Sequence, residues 1–408
     1  MGQRAFPNHE AFILSEAEGE TVRSIREHGA LSRTDLSNLT GLSRAKISST
    51  IEGLIRSGIL EEVGLGDSQG GRRPRLVHFN SSAGFVAGID MGASGVDIAL
   101  ADLTGQIVAR HFDPTTNVAT GPVSVLSRVQ EIIAGLLSEQ QIAPEQLRGI
   151  GMGVPGPVEF STGLLTSPPI MPGWDRFPIR DFLGRKFPNT KVIIDNDVNV
   201  MALGELRAGE GIGSDNFIYV KIGTGIGAGI VCDGEVYRGS TGCAGDVGHI
   251  CIDYNGPVCH CGNIGCLEVM AAGPAIARRA IQAAERNESP ILARLMREKS
   301  GLLSAEDVGI AAATGDHVSI SIIQDSGRMV GRMLASVINF FNPSLILIGG
   351  GVSKIGYHLL SSIRQEVLYR SLPLSTRQLQ IKLSSMSDDA GVIGAVHLIL
   401  ERIFVVQN

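Results

Sequence analysis

The chain has 408 residues, of which 43% are hydrophobic and 19% are charged, and its formal net charge is −6. This composition describes a globular protein large enough for two or three domains. It excludes a chain-wide attraction to nucleic acid, so any DNA contact must come from a local basic face. No apolar run is long enough to cross a bilayer, and the first residues lack the apolar core of a signal peptide. We therefore expect a cytoplasmic protein with no membrane partner.

Residues 1–82 have the pattern of a winged helix-turn-helix domain. Residues 17–28 predict a first helix, Ser32 can cap a second helix that Gly41 ends, and Ser43 can cap a third. Two short helices joined by a tight turn are the layout in which the second helix of the pair enters the major groove of DNA. The third helix is therefore the predicted recognition helix.

A basic β-hairpin is predicted after this third helix. Apolar runs flank a turn, DSQGGRRPR, whose basic residues could reach phosphates or the minor groove as a wing does. The alternative is a small helical interaction module with a solvated basic loop, because Glu61 and Glu62 keep the positive charge modest. The predicted DNA-binding residues are Ser43, Arg44, Lys46, Ser48, Arg72, Arg73 and Arg75.

Two glycine-rich hairpins follow, one early in each half of the remaining chain. Such turns present backbone N–H groups to a phosphate, and the aspartate in the first could position a metal-bound water, although glycine-rich hairpins are common. A later strand, SLILIGGG, also ends in glycines. The repetition predicts a duplicated fold with nucleotide between two lobes. The candidate nucleotide-binding residues are Asp90, Gly92, Ser94, Gly223, Thr224, Gly225, Gly349 and Gly350.

A buried strand, KVIID, runs into a helix through Asn196 and Asp197. A carboxylate at the end of a strand, beside an amide that can bind hydroxyls, suits the general base of a sugar-phosphorylating enzyme. Helix capping explains the same residues equally well. We expect a first lobe over residues 83–198, joined by a C-terminal helix over 388–408, and a second lobe over 199–387.

One stretch carries the residues of a metal site. His249, Cys259, Cys261 and Cys266 have the spacing H-x9-C-x-C-x4-C, which offers one imidazole and three thiolates to a tetrahedral zinc. Because this set fills all four positions, the zinc is expected to be structural rather than catalytic. Ordinary buried cysteines are the alternative interpretation. The remaining cysteines, at positions 232, 243 and 251, are interpreted as small buried apolar residues.

Taken together, these motifs resemble the ROK family, which combines sugar-responsive repressors with sugar kinases on an actin-like, ribonuclease-H-like fold. The most specific part is G-H-x9-C-x-C-G-x2-G-C-x-E, supported by G-V-P-G-P-V, P-G-W, N-D-x-N, G-T-G-x-G-x-G and I-G-G-G. The resemblance implies that zinc is held by the Cys3His set and that Asp197 matches the catalytic base of the kinases. The candidate sugar-binding residues are Gly156, Asn196, Asp197, Asp246, His249 and Glu268.

The sequence departs from the family's kinases at two places. Their first phosphate hairpin usually reads D-x-G-G-T-K, whereas here Ala93 adds a methyl group and Gly95 removes a cation, which should weaken ATP binding. The sugar-binding enzymes commonly have glutamate where this chain has Asp246. The loss of one methylene moves the carboxylate by about 1.5 Å, so glucose need not be the preferred sugar.

These features predict an α/β, two-lobed sugar kinase fold preceded by a winged helix-turn-helix domain. The predicted function is a sugar-responsive transcriptional repressor that binds operator DNA as a homodimer or homotetramer and takes a free sugar between its lobes. An ATP-dependent sugar kinase using Asp197 as general base is the alternative, and a zinc-stabilised scaffold that binds no sugar is a third hypothesis.

Overall fold

The N-terminal part of the chain contains three helices and a small antiparallel sheet. In the computed structural model, residues 12–65, 73–93 and 95–407 are described. The elements in chain order are β1 (Phe12–Ser15), α1 (Glu16–His28), β2 (Leu31–Ser32), α2 (Arg33–Thr40), α3 (Arg44–Arg56), β3 (Leu60–Leu65) and β4 (Arg75–Phe79). The side chains of Ser32 and Ser43 accept backbone N–H groups as helix caps, and Gly41 ends α2 in the left-handed conformation. The predicted helices are confirmed, and β3 and β4 pair as the expected hairpin; β2, which was not predicted, adds a third strand to their sheet.

A five-stranded sheet and its helices follow. The elements are β5 (Phe85–Gly92), β6 (Gly95–Asp102), β7 (Ile107–Asp113), α4 (Pro122–Glu139), β8 (Leu147–Val154), β9 (Val158–Glu159), β10 (Leu164–Leu165), α5 (Ile179–Lys186), β11 (Lys191–Asn196) and α6 (Asp197–Ala208). The sheet order is β7-β6-β5-β8-β11. The first three strands pair antiparallel, while β8 and β11 run parallel to β5. We call this sheet and its helices the first lobe.

The second lobe repeats this sheet. Its elements are β12 (Phe217–Ile222), β13 (Ile226–Cys232), β14 (Glu235–Tyr237), α7 (Leu267–Ala271), α8 (Gly273–Glu285), α9 (Pro290–Glu298), α10 (Ala305–Ala313), α11 (His317–Phe341), β15 (Leu345–Gly349), α12 (Tyr357–Arg370), α13 (Pro373–Thr376) and β16 (Gln380–Leu383). The order β14-β13-β12-β15-β16 has the same pattern of strand directions as the first sheet. The predicted duplication and two-lobed α/β fold are confirmed. No helix in the described ranges has the length and apolar character needed to span a membrane.

The chain returns to the first lobe through α14 (Asp389–Ile403), which lies between the first sheet and α6. Glycines make this close approach possible: a Cβ at Gly151 would lie 1.9 Å from the carbonyl oxygen of Ala395, and one at Gly204 would lie 2.2 Å from that of Ala390. The final strand, β17 (Phe404–Gln407), pairs in parallel with β1. The two ends of the described chain therefore meet in one small sheet.

One apolar core joins the N-terminal helices to the first lobe. It includes Ile25 and Phe79 from the N-terminal part, Val86 from β5, and Leu400 and Ile403 from α14. The rings of Phe12 and Phe404 stack with centroids 5.0 Å apart, across the β1-β17 pair. Because burial of apolar surface is the main stabilising term in folding, this shared core fixes the N-terminal helices on the lobe.

Candidate functional sites

The N-terminal end of α3 forms an exposed polar and basic face. Ser43, Arg44 and Lys46 are exposed and Ser48 is half-buried, while Ile47 is fully buried in the core. The hydroxyl of Ser43 accepts the Lys46 backbone N–H at 3.3 Å, so this serine also caps the helix. The helix thus points its apolar side inward and offers its first turn to a partner, which is how a recognition helix is mounted.

The predicted wing is partly neutralised within its own domain. Arg75 donates to Glu62 at 2.7 Å, and Arg33 donates to the same carboxylate at 3.3 Å. The hydrogen bond from Arg75 holds the pKa of Glu62 below its ordinary value. Arg73 is exposed just before the returning strand, and Arg72 lies outside the described residues. The structure therefore leaves Arg73 better placed than Arg75 to contact a phosphate.

The Cys3His set comes together in space as the spacing predicts. The ligand atoms of His249, Cys259, Cys261 and Cys266 all lie within 4.8 Å of one another. Cys261 Sγ is 3.7 Å from Cys266 Sγ, and Cys259 Sγ is 3.6 Å from His249 Nδ1. Two Zn–S bonds of about 2.3 Å at the tetrahedral angle place their sulfurs about 3.8 Å apart. The arrangement thus fits a tetrahedral metal of this size.

The metal ligands and the other cysteines differ in environment. Burial raises the pKa of the Cys266 thiol to about 12 and also raises that of Cys259, so a cation is needed to stabilise their thiolates. The interpretation of the remaining cysteines as buried is wrong: Cys243 is exposed, and Cys232 and Cys251 are only partly buried. They lie in strand ends and loops rather than in the core, which the apolar character of cysteine alone does not reveal.

The predicted sugar-binding residues lie in two groups. In the first, at the start of α6, Asn196 donates its side-chain amide to the carbonyl oxygen of Gly156 at 3.0 Å and accepts the N–H of Val198 at 2.9 Å. Asn196 is therefore both the helix cap and a link to the G-V-P-G-P-V turn. Asp197 follows it and is only 4% exposed. Capping and a functional role, which the sequence left open, are compatible in this geometry.

The second group surrounds the metal loop. His249 directs Nδ1 toward Cys259, while its Nε2 lies 3.9 Å from an oxygen of the exposed Asp246. Glu268 accepts the N–H of Ile226 at 3.1 Å, and a Cβ at Gly225 would lie 2.4 Å from the same carboxylate oxygen. Glycine at 225 thus lets the G-T-G turn pack on Glu268. The metal loop and the glycine-rich turn are therefore linked through Glu268.

A cation bonded to the first group was not predicted from the sequence. Lys221, in β12 just before the glycine-rich turn, donates to Asp197 at 2.5 Å. Its charge also acts on Asp90 at the end of β5, whose Oδ1 atom is buried without a hydrogen-bond partner. We call Asp90, Asp197 and Lys221 the carboxylate cluster. The charged residue inside the apolar run FIYVKI was the available signal, because a buried charge requires a partner.

Burial dominates the electrostatics of this cluster. It raises the pKa of Asp90 to about 7, although the charge of Lys221 opposes the shift. Burial alone would lower the pKa of Lys221, but the charges of Asp197 and Asp90 raise it above its ordinary value. Lys221 therefore stays protonated across the physiological range. The positive charge of Lys221 therefore stays bonded to Asp197, in the first turn of α6, and acts on Asp90, near the end of β5.

A second buried ion pair joins elements of the two lobes. Arg238, which follows β14, donates to Asp195 at the end of β11 with a distance of 2.7 Å. Asp195 is 1% exposed, and its other oxygen accepts the side-chain amide of Asn199 at 3.1 Å. Arg238 also lies 4.1 Å from the ring centroid of Phe160. This pair, 43 residues apart in sequence, was not predicted because its partners meet only in the folded chain.

The candidate nucleotide-binding residues lie at the ends of strands. Asp90 and Gly92 end β5, the turn 223–225 joins β12 to β13, and Gly349 ends β15. Packing already explains two glycines: a Cβ at Gly349 would lie 1.9 Å from the Tyr219 hydroxyl, and Gly350 has φ of +85°. Thr224 is exposed, and Ser94 lies outside the described residues.

The duplicated sheets, the carboxylate cluster between them and the Cys3His set define an actin-like, two-lobed protein of the sugar kinase-like fold. Within that class the chain belongs to the ROK family, whose model matches residues 86–402. The three helices of the N-terminal part precede the matched region.

Individual relatives separate into full-length and partial matches. A xylose repressor of Caldicellulosiruptor bescii is 32% identical over 93% of this chain and 94% of its own length. The crystal structure of a ROK family transcriptional regulator, a homologue of the E. coli MLC protein, superposes with a TM-score of 0.80 at 30% identity and covers 95% of each chain. A ROK family glucokinase from Streptomyces griseus, in complex with glucose and AMPPNP, has a TM-score of 0.67 at 28% identity and covers 77% of this chain and 99% of its own.

Proposed function

We propose that the chain is a sugar-responsive transcriptional repressor. The observation that carries this proposal is the winged helix-turn-helix arrangement, which shares one apolar core with the first lobe. Similarity to a xylose repressor over 93% of the chain supports it, because the glucokinase match covers only 77%. We divide the chain into a DNA-binding domain over residues 1–82, a first lobe over 83–198 with residues 388–408, and a second lobe over 199–387.

The DNA contacts are assigned to α3 and the wing. The exposed first turn of α3 enters the major groove, with Arg44 and Lys46 nearest the DNA, and Arg73 contacts a phosphate. A homodimer or homotetramer places two such helices in half-sites about one helical turn of DNA, or a multiple of it, apart.

The effector is assigned to the two groups of polar residues that flank the glycine-rich turn. Asn196, Asp197, Asp246 and Glu268 offer the paired donors and acceptors that recognise sugar hydroxyls, and Gly156 positions Asn196. Zinc is the metal that suits a closed Cys3His set. A zinc ion held by His249 through Nδ1 would fix the orientation of the ring and leave Nε2 available to the sugar.

The path from effector to DNA runs along α14. At its start, a Cβ on Gly391 would lie 2.0 Å from a carboxylate oxygen of Asp90. At its end, Ile403 and Phe404 enter the core shared with the N-terminal helices. A sugar that binds one lobe angle more tightly than another therefore shifts α14 and the DNA-binding domain together, and its effect is limited by that difference in affinity.

Gel-shift titration against DNA from the protein's own upstream region tests the proposal. Specific binding by the intact protein that changes when one sugar of a pentose, hexose and amino-sugar panel is added is the expected result. Arg44→Ala should weaken binding by about tenfold or more. Arg56→Ala is the matched control, because Arg56 lies at the opposite end of α3. Equal loss in both variants would reject the assignment of the recognition surface.

A ROK sugar kinase is the second candidate, favoured by the buried Asp197 beside the G-T-G turn. Incubation with the same sugars and Mg-ATP tests it by formation of ADP. Turnover that Asp197→Asn abolishes would establish an enzyme and overturn the preference for a repressor without catalysis.

A further inference from the structure

The carboxylate cluster contains its own counter-ion. Lys221 Nζ lies 2.5 Å from Asp197 Oδ2, and the two side chains are 23% and 6% exposed. The other oxygen of Asp197 accepts the N–H of Val198 at 2.9 Å. Both oxygens of the proposed kinase base are therefore already bonded within the chain.

Acidic groups near Asp90 also have cationic partners, in more exposed positions. Lys354, in the loop after β15, contacts both oxygens of Asp388 at 2.7 and 2.6 Å. Arg110 contacts Asp389 at 2.6 Å and also binds Asp97. These cations are provided by both lobes and meet the start of α14, which packs on Asp90. Side chains of the chain itself balance the negative charge at this position.

A site for phosphoryl transfer uses such carboxylates differently. Its acidic groups hold Mg²⁺, directly or through water, and its free cations bind the phosphates. In this chain a lysine is hydrogen-bonded to one of the two acidic groups that would face the metal, and its charge acts on the other. The nearby cations are paired with other aspartates. The residues present therefore do not fit a magnesium-bound nucleotide.

We infer that Lys221 is a built-in replacement for the metal, so that the protein takes an uncharged sugar alone and excludes metal-bound nucleotide. The sugar part of this inference rests on the proposed function, whereas the exclusion of metal rests on the geometry of the carboxylate cluster. Asp197 remains a hydrogen-bond acceptor for a sugar hydroxyl, since a carboxylate offers about four lone-pair sites. Lys221 sets the ligand specificity by charge.

The test measures the direct binding of Mn²⁺ and of Mn-AMPPNP to the zinc-loaded, full-length protein. Binding is detected as the loss of the free Mn²⁺ signal in electron paramagnetic resonance. Lys221→Met should bind Mn²⁺ or Mn-AMPPNP at least about tenfold more tightly than the unaltered protein, because it leaves the Asp197 carboxylate without its cation and removes the positive charge that acts on Asp90. Lys299→Met is the matched control. Lys299 follows α9 and binds the buried Asp307 of α10 at 2.6 Å. The control should not gain manganese binding.

Two further measurements keep the inference falsifiable. If Lys221→Met does not fold, the double variant Lys221→Met with Asp197→Asn also removes the buried charge of Asp197. Manganese should then bind through Asp90, more tightly than in the unaltered protein but less tightly than a site with both carboxylates would hold it. Equal manganese affinity in the unaltered protein and Lys221→Met, or in the double variant, would overturn the inference. Sugar binding by thermal shift and DNA binding are measured separately, so failure of the repressor proposal leaves the manganese result interpretable.

Discussion

Replacement of Asp90 by asparagine should stabilise the protein at neutral pH. Burial raises the pKa of Asp90 from 3.8 to about 7, and this value includes the attraction of Lys221. Between these two values the unfolded chain releases a proton that the folded protein retains, so stability falls as pH rises. At 1.36 kcal/mol for each pKa unit, the difference between the two pKa values costs about 4 kcal/mol above pH 7. An asparagine side chain is neutral at every pH and avoids this cost.

The measurement is the difference in unfolding free energy between Asp90→Asn and the unaltered protein, from denaturant titrations at pH 5 to 8. This difference should grow by about 1.4 kcal/mol per pH unit up to pH 7 and then level off. Zinc affinity also depends on pH, but it affects both proteins equally and cancels. A difference that does not change with pH would refute the reasoning.

Asp307→Asn supplies a control of opposite sign. Burial acts against ionisation of Asp307, but hydrogen bonds from Lys299 and Ser304 outweigh it and lower the pKa. The stability from this group is present at neutral pH and is lost as pH falls through the lowered pKa. The variant should therefore be less stable than the unaltered protein at pH 7, and the deficit should shrink in acid.

Three further outcomes are expected. Cys266→Ser should lower the zinc content, the melting temperature and the sugar affinity; unchanged sugar affinity would limit the metal to a structural role. Phe404→Ala removes the ring stacked on Phe12 and should cost about 2 kcal/mol of unfolding free energy, while weakening the sugar response in gel shifts more than DNA binding itself. His397 lies in a cavity of about 1010 Å³ between the N-terminal helices and the first lobe, where burial lowers its pKa to about 4. Because the unfolded chain binds this proton below its ordinary pKa of 6.5, stability should fall from pH 6.5 to 4 by about 3 kcal/mol, and His397→Gln should remove that part of the acid sensitivity in denaturant titrations.

Local chemistry made much of this structure predictable. The caps Ser32 and Ser43 and the terminating Gly41 fix helix ends through bonds within a few residues, so their pattern is visible in sequence. The metal ligands were also predictable from the sequence, because a Cys3His set at that spacing has few other uses. The predicted duplication followed from two hairpins of the same type, and the strand order confirms it.

Contacts between distant segments were not predictable. Lys221 was visible as a charge in an apolar strand, but its partner is 24 residues away in another element, and the choice among the acidic residues depends on the fold. The C-terminal helix was predicted to continue through residue 408, whereas it ends at Ile403 and the chain turns into β17. The run FVV favours a strand, but only pairing with β1, almost the whole chain away, makes one.

The packing of α14 supports the proposed route from the sugar site to the N-terminal helices. Gly391 brings the helix against Asp90, and Gly394 brings it against α6, where a Cβ would lie 1.8 Å from the carbonyl oxygen of Val200. Such contacts leave no room for gradual deformation, so a change in lobe angle must move the helix as a unit. Its last turn and Phe404 share a core with the N-terminal helices, so we expect that movement to reach the part of the chain proposed to bind DNA. A lysine in place of metal and nucleotide then has a physical advantage: the lobe angle depends on one ligand, the sugar, instead of on two.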